Sequence, residues 1–349
     1  MLPCVRAGLA GAVIALITGC GTPSQVVPIQ DQLQSASELA AERIRASQAP
    51  DGHWPMPATL GPDFVNAEEQ TSPYVQALVL QVLGPASGAY GLQRQVDAAQ
   101  HFLQGQIEVT GLVRFHGLPS QSEQERGLCP DIDDTSLVWL SAPPPDKGLL
   151  VSVLDRFDER RLASGLYETW LRSGRGAACN LPARHLPRVD SGVQVHLLLF
   201  FEEYAPEQLP PLCEAVRESW DDPEFWRYYP QAPVVIALRE PDLARAGCEL
   251  RFPEGLLDSV PSGQAPWLEA VTQLNMLRSA ESAKLEAQPV IAILLQLAEA
   301  EFAAVQEAPP LIFHDDPKAD RQYFWWSPDL GYAIWLRLLH EATAAGLLD

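Results

Sequence analysis

The chain has 349 residues, of which 47% are hydrophobic, and it carries a formal net charge of −21. This length suffices for one large domain or two small ones, and the apolar content supports a sizeable core. So strong an acidic excess argues against a protein that binds nucleic acid or anionic lipid headgroups through a basic face.

The first residues have the pattern of a secretory signal. Arg6 precedes the apolar run "AGLAGAVIALI", which is shorter than the about 20 residues that a membrane-spanning helix needs. The next residues, "ITGC", resemble the lipobox of bacterial lipoproteins, in which the cysteine, here Cys20, becomes lipidated. We therefore expect a signal peptide over 1–19, a tether over 20–30 and a single folded domain over 31–349.

Residue 21 is Gly and not Asp, which resembles the sorting pattern for the outer membrane. The resemblance implies a protein of the bacterial cell envelope, lipid-anchored at the periplasmic face of the outer membrane. Its expected partners are the membrane, through the anchor, and a lipid or glycan ligand, with no nucleic acid.

Four further cysteines can form disulfide bonds in an oxidising compartment. They allow three pairings, of which we favour Cys129 with Cys179 and Cys213 with Cys248. No two of them have metal-ligand spacing, so the sequence predicts no cysteine-based metal site.

Apolar segments recur along the chain, and each opens with Ser, Thr, Asp or an early Pro, as helix N-termini prefer. Each segment is apolar nearly all round, which is typical of helices buried on several sides. The six segments begin at Thr71, Asp131, Asp190, Gln231, Gln288 and Ser327.

More amphipathic pieces lie between these segments, for example "DQLQSASELAAERIRASQ" and "WLEAVTQLNMLRSAES". A repeat of roughly 40 to 60 residues with alternating buried and amphipathic helices predicts an all-α protein, an (α/α)6 toroid with six inner and about six outer helices. An irregular helical bundle and an open solenoid are the alternatives.

Two short motifs carry a resemblance to a known family. "QAPDGHW", from Gln48 to Trp54, matches the core of the repeat found in squalene and terpene cyclases, and "DIDDT", from Asp131, resembles the D-x-D-D motif of class II terpene cyclases. The resemblance implies acid-initiated cyclisation or isomerisation of a lipid-like substrate. Asp133 would donate the proton, Asp131 and Asp134 would tune it, and neither a metal nor a cofactor would be needed.

In a toroid, the N-termini of the inner helices face one end, so polar residues there should surround one cavity. A crowded carboxylate cluster cannot fully ionise, and one member then keeps a proton at neutral pH. We expect Asp133 to lie deeper than Asp131 and Asp134. Arg114 and His116 are weaker candidates at the same end. The expected substrate-binding residues are Asp190, His314, Asp315, Tyr323, Trp325 and Trp326.

Three alternatives stay open at this point. "DIDD" is also a good helix start without any chemistry, since Asp is a favoured N-cap. Asp133 paired with Asp190 or Asp315 suits a polysaccharide-active toroid enzyme. A non-catalytic lipoprotein that binds a glycan, a lipid or a protein also fits the chain.

Overall fold

A computed structural model describes residues 27–118, 128–144, 146–171, 189–253, 256, 258, 260–279 and 285–348. The predicted signal peptide, the lipidation site Cys20, most of the predicted tether and Cys179 lie outside these residues. The first helix begins at Ile29, within the last two residues of the predicted tether.

The described chain is mostly helical. Its α-helices are α1 Ile29–Ser47, α2 Pro73–Leu83, α3 Gln93–Gly105, α4 Ile132–Ser141, α5 Leu149–Asp158, α6 Ser191–Tyr204, α7 Leu209–Ser219, α8 Val234–Ala237, α9 Glu240–Arg245, α10 Ala265–Arg278, α11 Ala287–Glu307 and α12 Pro328–Ala344. Short 3-10 helices span Gly84–Tyr90, Pro206–Gln208, Pro223–Trp226 and Ser262–Gln264.

Six of these helices form a closed circuit of contacts, which we call the helix ring. In chain order, α2 packs against α4, α4 against α6, α6 against α8, α8 against α10, and α10 against α12; α12 then returns to α2. The helices α1, α3, α7 and α11 each pack against one or two members of the ring. The first turns of α2, α4 and α6 line one cavity, so these three helices point the same way.

Two helices, α10 and α11, lie in the opposite layers from those predicted from the sequence. The segment from Gln288, now in α11, was expected inside, whereas α10 occupies the ring and α11 packs outside it against α1, α10 and α12. Only one stripe of α11 is buried, at Val290, Ile293, Leu294 and Leu297, the spacing of an amphipathic surface helix. None of its six alanines is buried and two, Ala292 and Ala300, are exposed, so the sequence appears apolar on all sides although only one stripe is buried. By length and composition alone α11 is apolar enough to cross a membrane, but the core helix of a soluble protein and a signal sequence meet the same test.

In α2, α4 and α6, the side chain of the fourth residue bonds to the backbone of a segment that precedes the helix. Gln76 accepts a hydrogen bond from the backbone N–H of Trp54 (2.7 Å) and donates one to the Trp54 carbonyl (2.6 Å). Gln194 does the same with Tyr167 at 3.0 and 2.8 Å. In α4 the Thr135 hydroxyl accepts from the Val113 N–H. These side chains fix the segment that enters each ring helix.

Four of the six predicted helix starts are confirmed by side-chain caps. Ser72 accepts from the N–H of Tyr74, Asp131 from that of Asp134, Asp190 from that of Val193, and Ser327 from that of Leu330. A cap satisfies one of the N–H groups that the first turn leaves free.

The expectation of an all-α chain is wrong in one respect, because the structure contains a small antiparallel sheet. Its order is β2-β1-β4-β3, formed by β1 Met56–Leu60, β2 Glu68–Gln70, β3 Leu311–His314 and β4 Tyr323–Trp326. The strands are only three to five residues long. Because β1 pairs with β4, which lies far along the chain, a local sequence pattern cannot predict the whole sheet.

The "QAPDGHW" segment is a structural link. The Gln48 side chain donates to the carbonyls of Gly52 and Gln95, both at 2.9 Å. Trp54 is fully buried. Gly52 has φ +99°, and a Cβ there would stand 2.3 Å from the Ala98 carbonyl oxygen, so only glycine fits this crossing.

The structure joins Cys213 to Cys248 by a disulfide bond, which is the pairing expected from the sequence. Cys129 is also disulfide-bonded.

Candidate active site

A cavity of about 240 Å³ lies at the end of the helix ring where α2, α4 and α6 begin. The β3–β4 hairpin and the segment before α8 complete its walls. Its lining combines acidic groups with aromatic rings: Tyr74, Phe115, His116, Leu128, Asp131, Asp133, Asp134, Thr169, Trp170, Asp190, Val193, Tyr228, Tyr229, Phe313, His314, Asp315 and Trp325.

Asp133 contacts a buried histidine. Its Oδ1 lies 2.5 Å from Nδ1 of His196, which projects from the second turn of α6. Burial raises the pKa of Asp133 to about 8, although the charge of Arg239 opposes the rise. Burial, with help from Arg239, lowers the pKa of His196 well below its usual range. The pair is therefore a protonated carboxyl beside a neutral imidazole at neutral pH.

The protons of this pair follow from hydrogen bonding. Among the described residues, the Nε2 atom of His196 has no hydrogen-bond partner. A buried N–H without an acceptor is rarer than a buried lone pair without a donor. We therefore place the imidazole proton on Nδ1, donating to Oδ1 of Asp133, and the carboxyl proton on Oδ2.

The other two carboxyls of the motif face each other. Asp131 caps α4 by accepting from the Asp134 N–H at 2.7 Å. Burial raises the pKa of Asp131 to about 7, against hydrogen bonds from Asp134. The pKa of Asp134 is raised well above its usual value by burial and then by the charge of Asp131. Asp134 consequently keeps its proton and shares it with Asp131.

Asp190 repeats this arrangement on the neighbouring helix. It accepts from the Val193 N–H at 3.1 Å and from the Thr169 hydroxyl at 2.9 Å. Burial and then the nearby Asp133 raise its pKa to about 7. Four carboxyls thus surround one small space, and burial opposes the ionisation of all four.

Aromatic rings also line the cavity. Phe313 stacks on Trp325 with ring centroids 4.5 Å apart, and Phe115 meets Phe313 edge-on at 5.5 Å. Tyr74 stands edge-on to His196 at 5.8 Å, with its hydroxyl 3.4 Å from that of Tyr229. Aromatic faces stabilise a cation within about 6 Å of the ring, so these rings can hold positive charge in the cavity that Asp133 lines.

A second histidine faces the cavity from β3. The Nδ1 atom of His314 lies 2.7 Å from the carbonyl of Asp315, which requires the proton on Nδ1. The buried Nε2 atom then carries a lone pair, and no described residue donates to it. Burial lowers the pKa of His314, so the ring is a neutral base at neutral pH.

The structure brings most of the predicted residues together. Asp131, Asp133, Asp134, Asp190, His314, Asp315 and Trp325 all line the cavity, and so does the weaker candidate His116. Tyr323 and Trp326 do not line it. Side chains alternate along a strand, so Trp326 points away from Trp325 and packs edge-on against Phe64, while Tyr323 stands at the far end of β4. Arg114 is bound instead to Glu108 and to the Leu128 carbonyl.

The expectation that Asp133 lies deepest is wrong. It is 8% exposed, against 4% for Asp131 and 1% for Asp134. The N-cap residue turns its side chain back onto the first turn, which holds Asp131 and Asp134 inside the helix start. Asp133 is still buried, and it is the motif carboxyl most open to the cavity.

Sequence reasoning missed several residues of the site, above all His196, Tyr74, Tyr229, Phe115 and Phe313. His196 is a single polar residue in the apolar run "VQVHLLLFF", a pattern that fits a satisfied core histidine equally well. Tyr229 approaches α6 only because residue 192 is glycine: a Cβ there would lie 2.1 Å from the Tyr229 hydroxyl.

Comparisons with known proteins add one finding on the fold. No protein-family model and no curated protein matches the sequence. A variant of the type II terpene cyclase MstE from Scytonema, solved with merosterolic acid A (product), is 13% identical over 91% of this chain and 99% of that chain, with a TM-score of 0.50. Another MstE variant with geranylgeranyl dihydroxybenzoate (substrate) gives 13% over 92% and 100% with a TM-score of 0.48. Unliganded MstE gives 13% over 90% and 99% with a TM-score of 0.46. The likeness at a TM-score of 0.50 shows that this chain shares the fold of a type II terpene cyclase, and it shows the fold alone.

Proposed function

We propose that this protein is a class II terpene cyclase-like enzyme that starts a cyclisation or isomerisation by protonating a lipid-like substrate. One observation carries the proposal: the buried Asp133, held by His196, opens onto a cavity that aromatic rings also line. The shared fold supports it. We also infer that the helix ring belongs to a complete (α/α)6 toroid, since its six members contact each other in a closed circuit.

The first step is a proton transfer from Asp133 Oδ2 to a carbon–carbon double bond or an epoxide oxygen. The electron pair of the alkene or epoxide takes the proton, a carbocation forms, and a carboxylate remains. A raised pKa keeps the acid loaded at neutral pH. The Nδ1–H of His196 then donates to the new carboxylate, and charge-assisted hydrogen bonds of this kind are the strong ones.

The cation is held by aromatic faces until it loses a proton. Phe115, Phe313 and Trp325 provide these faces, and the Nε2 lone pair of His314 is the proposed acceptor. One proton enters at Asp133 and one leaves at His314, so substrate and product have the same composition. Proton exchange with water resets both groups.

The size of the cavity limits what is enclosed. Its volume of about 240 Å³ is below the about 300–1,000 Å³ of typical small-molecule pockets. The described walls therefore enclose the reacting segment of a prenyl chain and not a long chain as a whole. We further propose that the lipid anchor at Cys20 holds the domain at the periplasmic face of the outer membrane, where such substrates partition.

The polysaccharide alternative is less well supported. It needs one carboxylate to stay ionised as base or nucleophile while another carries the proton. Burial raises the pKa of Asp190 to about 7, so at neutral pH Asp190 is a poor base beside Asp133.

The test is an incubation of the purified protein with farnesol, geranylgeraniol and squalene in D₂O, followed by mass spectrometry. We expect isomers of the substrate that have gained one deuterium, and no product from Asp133→Asn. His196→Gln should slow the reaction, because an amide N–H is a weaker donor to the new carboxylate than the imidazole N–H. Turnover that persists in Asp133→Asn, or products without deuterium, would exclude Asp133 as the acid.

A further inference from the structure

A second cavity lies at the opposite end of the helix ring. Its volume is about 260 Å³, and it is lined by the last turns of α2, α4, α6 and α10 and by the α8–α9 junction. Its apolar wall includes Leu140, Leu199 and Leu274. None of its lining residues belongs to the carboxylate site.

Four arginines line this cavity in a chain whose net charge is −21. Three of them have acidic partners. Arg245 and Arg278 each donate to the same Oδ1 of Asp242 at 2.7 Å, and the Nε of Arg337 lies 2.6 Å from Glu341.

Arg239 is the exception. Its side chain is 4% exposed, and among the described residues its buried Nε and Nη2 atoms have no hydrogen-bond partner. No described carboxylate lies within 4.0 Å of its guanidinium. Burying a charge without a partner is strongly unfavourable, so an acceptor from outside the chain is expected where Arg239 meets the cavity.

The charges around Arg239 favour a single negative charge on that acceptor. Glu202, Glu203 and Asp242 also line the cavity. Arg337 is paired with Glu341 outside the lining, so Arg239 is the one lining arginine without an acidic hydrogen-bond partner among the described residues. Asp242 is occupied by Arg245 and Arg278, while Glu202 and Glu203 lie toward solvent and repel polyanions.

We propose that this cavity binds a carboxylate that carries an apolar chain. Arg239 lines the cavity, and a carboxylate is the acceptor that a guanidinium binds with bidentate geometry. The chain lies along Leu140, Leu199 and Leu274. The lining residues of this cavity are distinct from those of the carboxylate site, although the charge of Arg239 also acts on the pKa of Asp133.

The test is isothermal titration calorimetry of the purified protein with sodium octanoate, with 1-octanol and inorganic phosphate as comparison probes. We expect one octanoate per chain, and at least tenfold weaker binding to Arg239→Met. Arg156→Met, on the exposed face of α5 in an ion pair with Glu159, is the matched control and should bind within twofold of the wild type.

A second variant keeps the test decisive if Arg239→Met does not fold. Leu140→Trp fills the half-buried wall without touching the guanidinium, and it should also abolish octanoate binding. No octanoate binding by the wild type, unchanged binding to either cavity variant, equal binding of 1-octanol, or tighter binding of phosphate would each overturn the proposal.

Discussion

The two ends of the helix ring hold ionisable side chains of opposite type. At one end, the starts of α2, α4 and α6 surround the buried carboxyls Asp131, Asp133, Asp134 and Asp190. At the other end, the last turns of the same helices meet four arginines. Both placements agree with the helix dipole, which favours anions at N-termini and cations at C-termini.

Agreement with the dipole does not decide ionisation. At the carboxylate end burial outweighs the dipole and the N–H donors, so the pKa values of the acids rise. At the arginine end, burial raises the pKa of Asp242, but the charges of Arg278 and Arg239 outweigh it and leave the pKa below its usual value. The same residue type is thus an acid at one end and a fixed anion at the other.

The largest expected effect is a difference in the pH dependence of stability. Asp133 has a pKa of about 8 in the folded state and about 3.9 in the unfolded chain. Its protonation therefore stabilises the fold fully below about pH 4, and this contribution is lost as the pH rises to about 8. A difference of one between the folded and unfolded pKa values corresponds to about 1.4 kcal/mol. As the pH rises across this range, the free energy of unfolding of Asp133→Asn should therefore increase by about 4–5 kcal/mol relative to that of the wild type.

Urea unfolding at pH 4.5 and about pH 8.5 measures this gap, and the wild-type comparison is needed because neutral His196 contributes a slope of the opposite sign. Asp242→Asn is the counterpart at the other end. The pKa of Asp242 is lowered, so its stabilisation is present above about pH 4 and lost below it. If the free energy of unfolding of the two variants changed with pH in the same way, Asp133 would not differ from Asp242 in ionisation as described here.

The next effect compares two glutamines on α2. Gln76 is fully buried and bonds both backbone groups of Trp54, whereas Gln81 is half-buried at the arginine end and donates to Ser141. Gln76→Leu should cost about 2–4 kcal/mol, because it leaves a buried N–H and a buried carbonyl unsatisfied. Gln81→Leu should cost below about 1 kcal/mol. Urea unfolding of both variants decides, and equal losses would contradict the role of position four.

A smaller effect concerns the entry of Tyr229 into the carboxylate end. Gly192→Ala places a Cβ where the Tyr229 hydroxyl stands, so the ring must move and the cost should be about 1–3 kcal/mol. Gly105→Ala, at the end of α3 where nothing lies within 4 Å, is the control and should be neutral or slightly stabilising. A Gly192→Ala variant as stable as this control would show that Tyr229 is free to shift.

The smallest effect lies at the arginine end. Arg278 and Arg245 hold the same oxygen of Asp242, but their side chains are 21% and 65% exposed. Arg278→Gln should cost about 1 kcal/mol and Arg245→Gln within about 0.5 kcal/mol, since exposed ion pairs contribute little. Thermal unfolding of the two variants tests the order, and a larger loss for Arg245→Gln would reverse it.

Local sequence patterns correctly predicted the features that depend on contacts between neighbouring residues. Asp131 and Asp190 cap helices as expected, because an N-cap is a contact within three residues. The meeting of Asp133 with Trp325 at one cavity followed from the parallel direction of the ring helices.

Contacts between distant segments were not predictable in the same way. His196 joins Asp133 across two helices, and an apolar run with one histidine gives no partner for it. The pairing of β1 with β4 and the exchange of α10 for α11 depend on packing. Polar groups in α10 that looked solvent-facing are buried, for example Asn275, which donates to the Ala237 carbonyl at 2.7 Å.

The sheet also determines the order in which the parts of the site can form as the chain emerges N-terminus first. Ala58 pairs with Trp325, and the hairpin that contains Trp325 lines the same cavity as Asp133. A chain that emerges N-terminus first and has already folded α2, α4 and α6 still lacks that part of the lining until β4 has emerged. Such distant pairings fold slowly and leave apolar surface exposed meanwhile. The contact between Asp133 and His196 can therefore form before β4 completes the cavity around it.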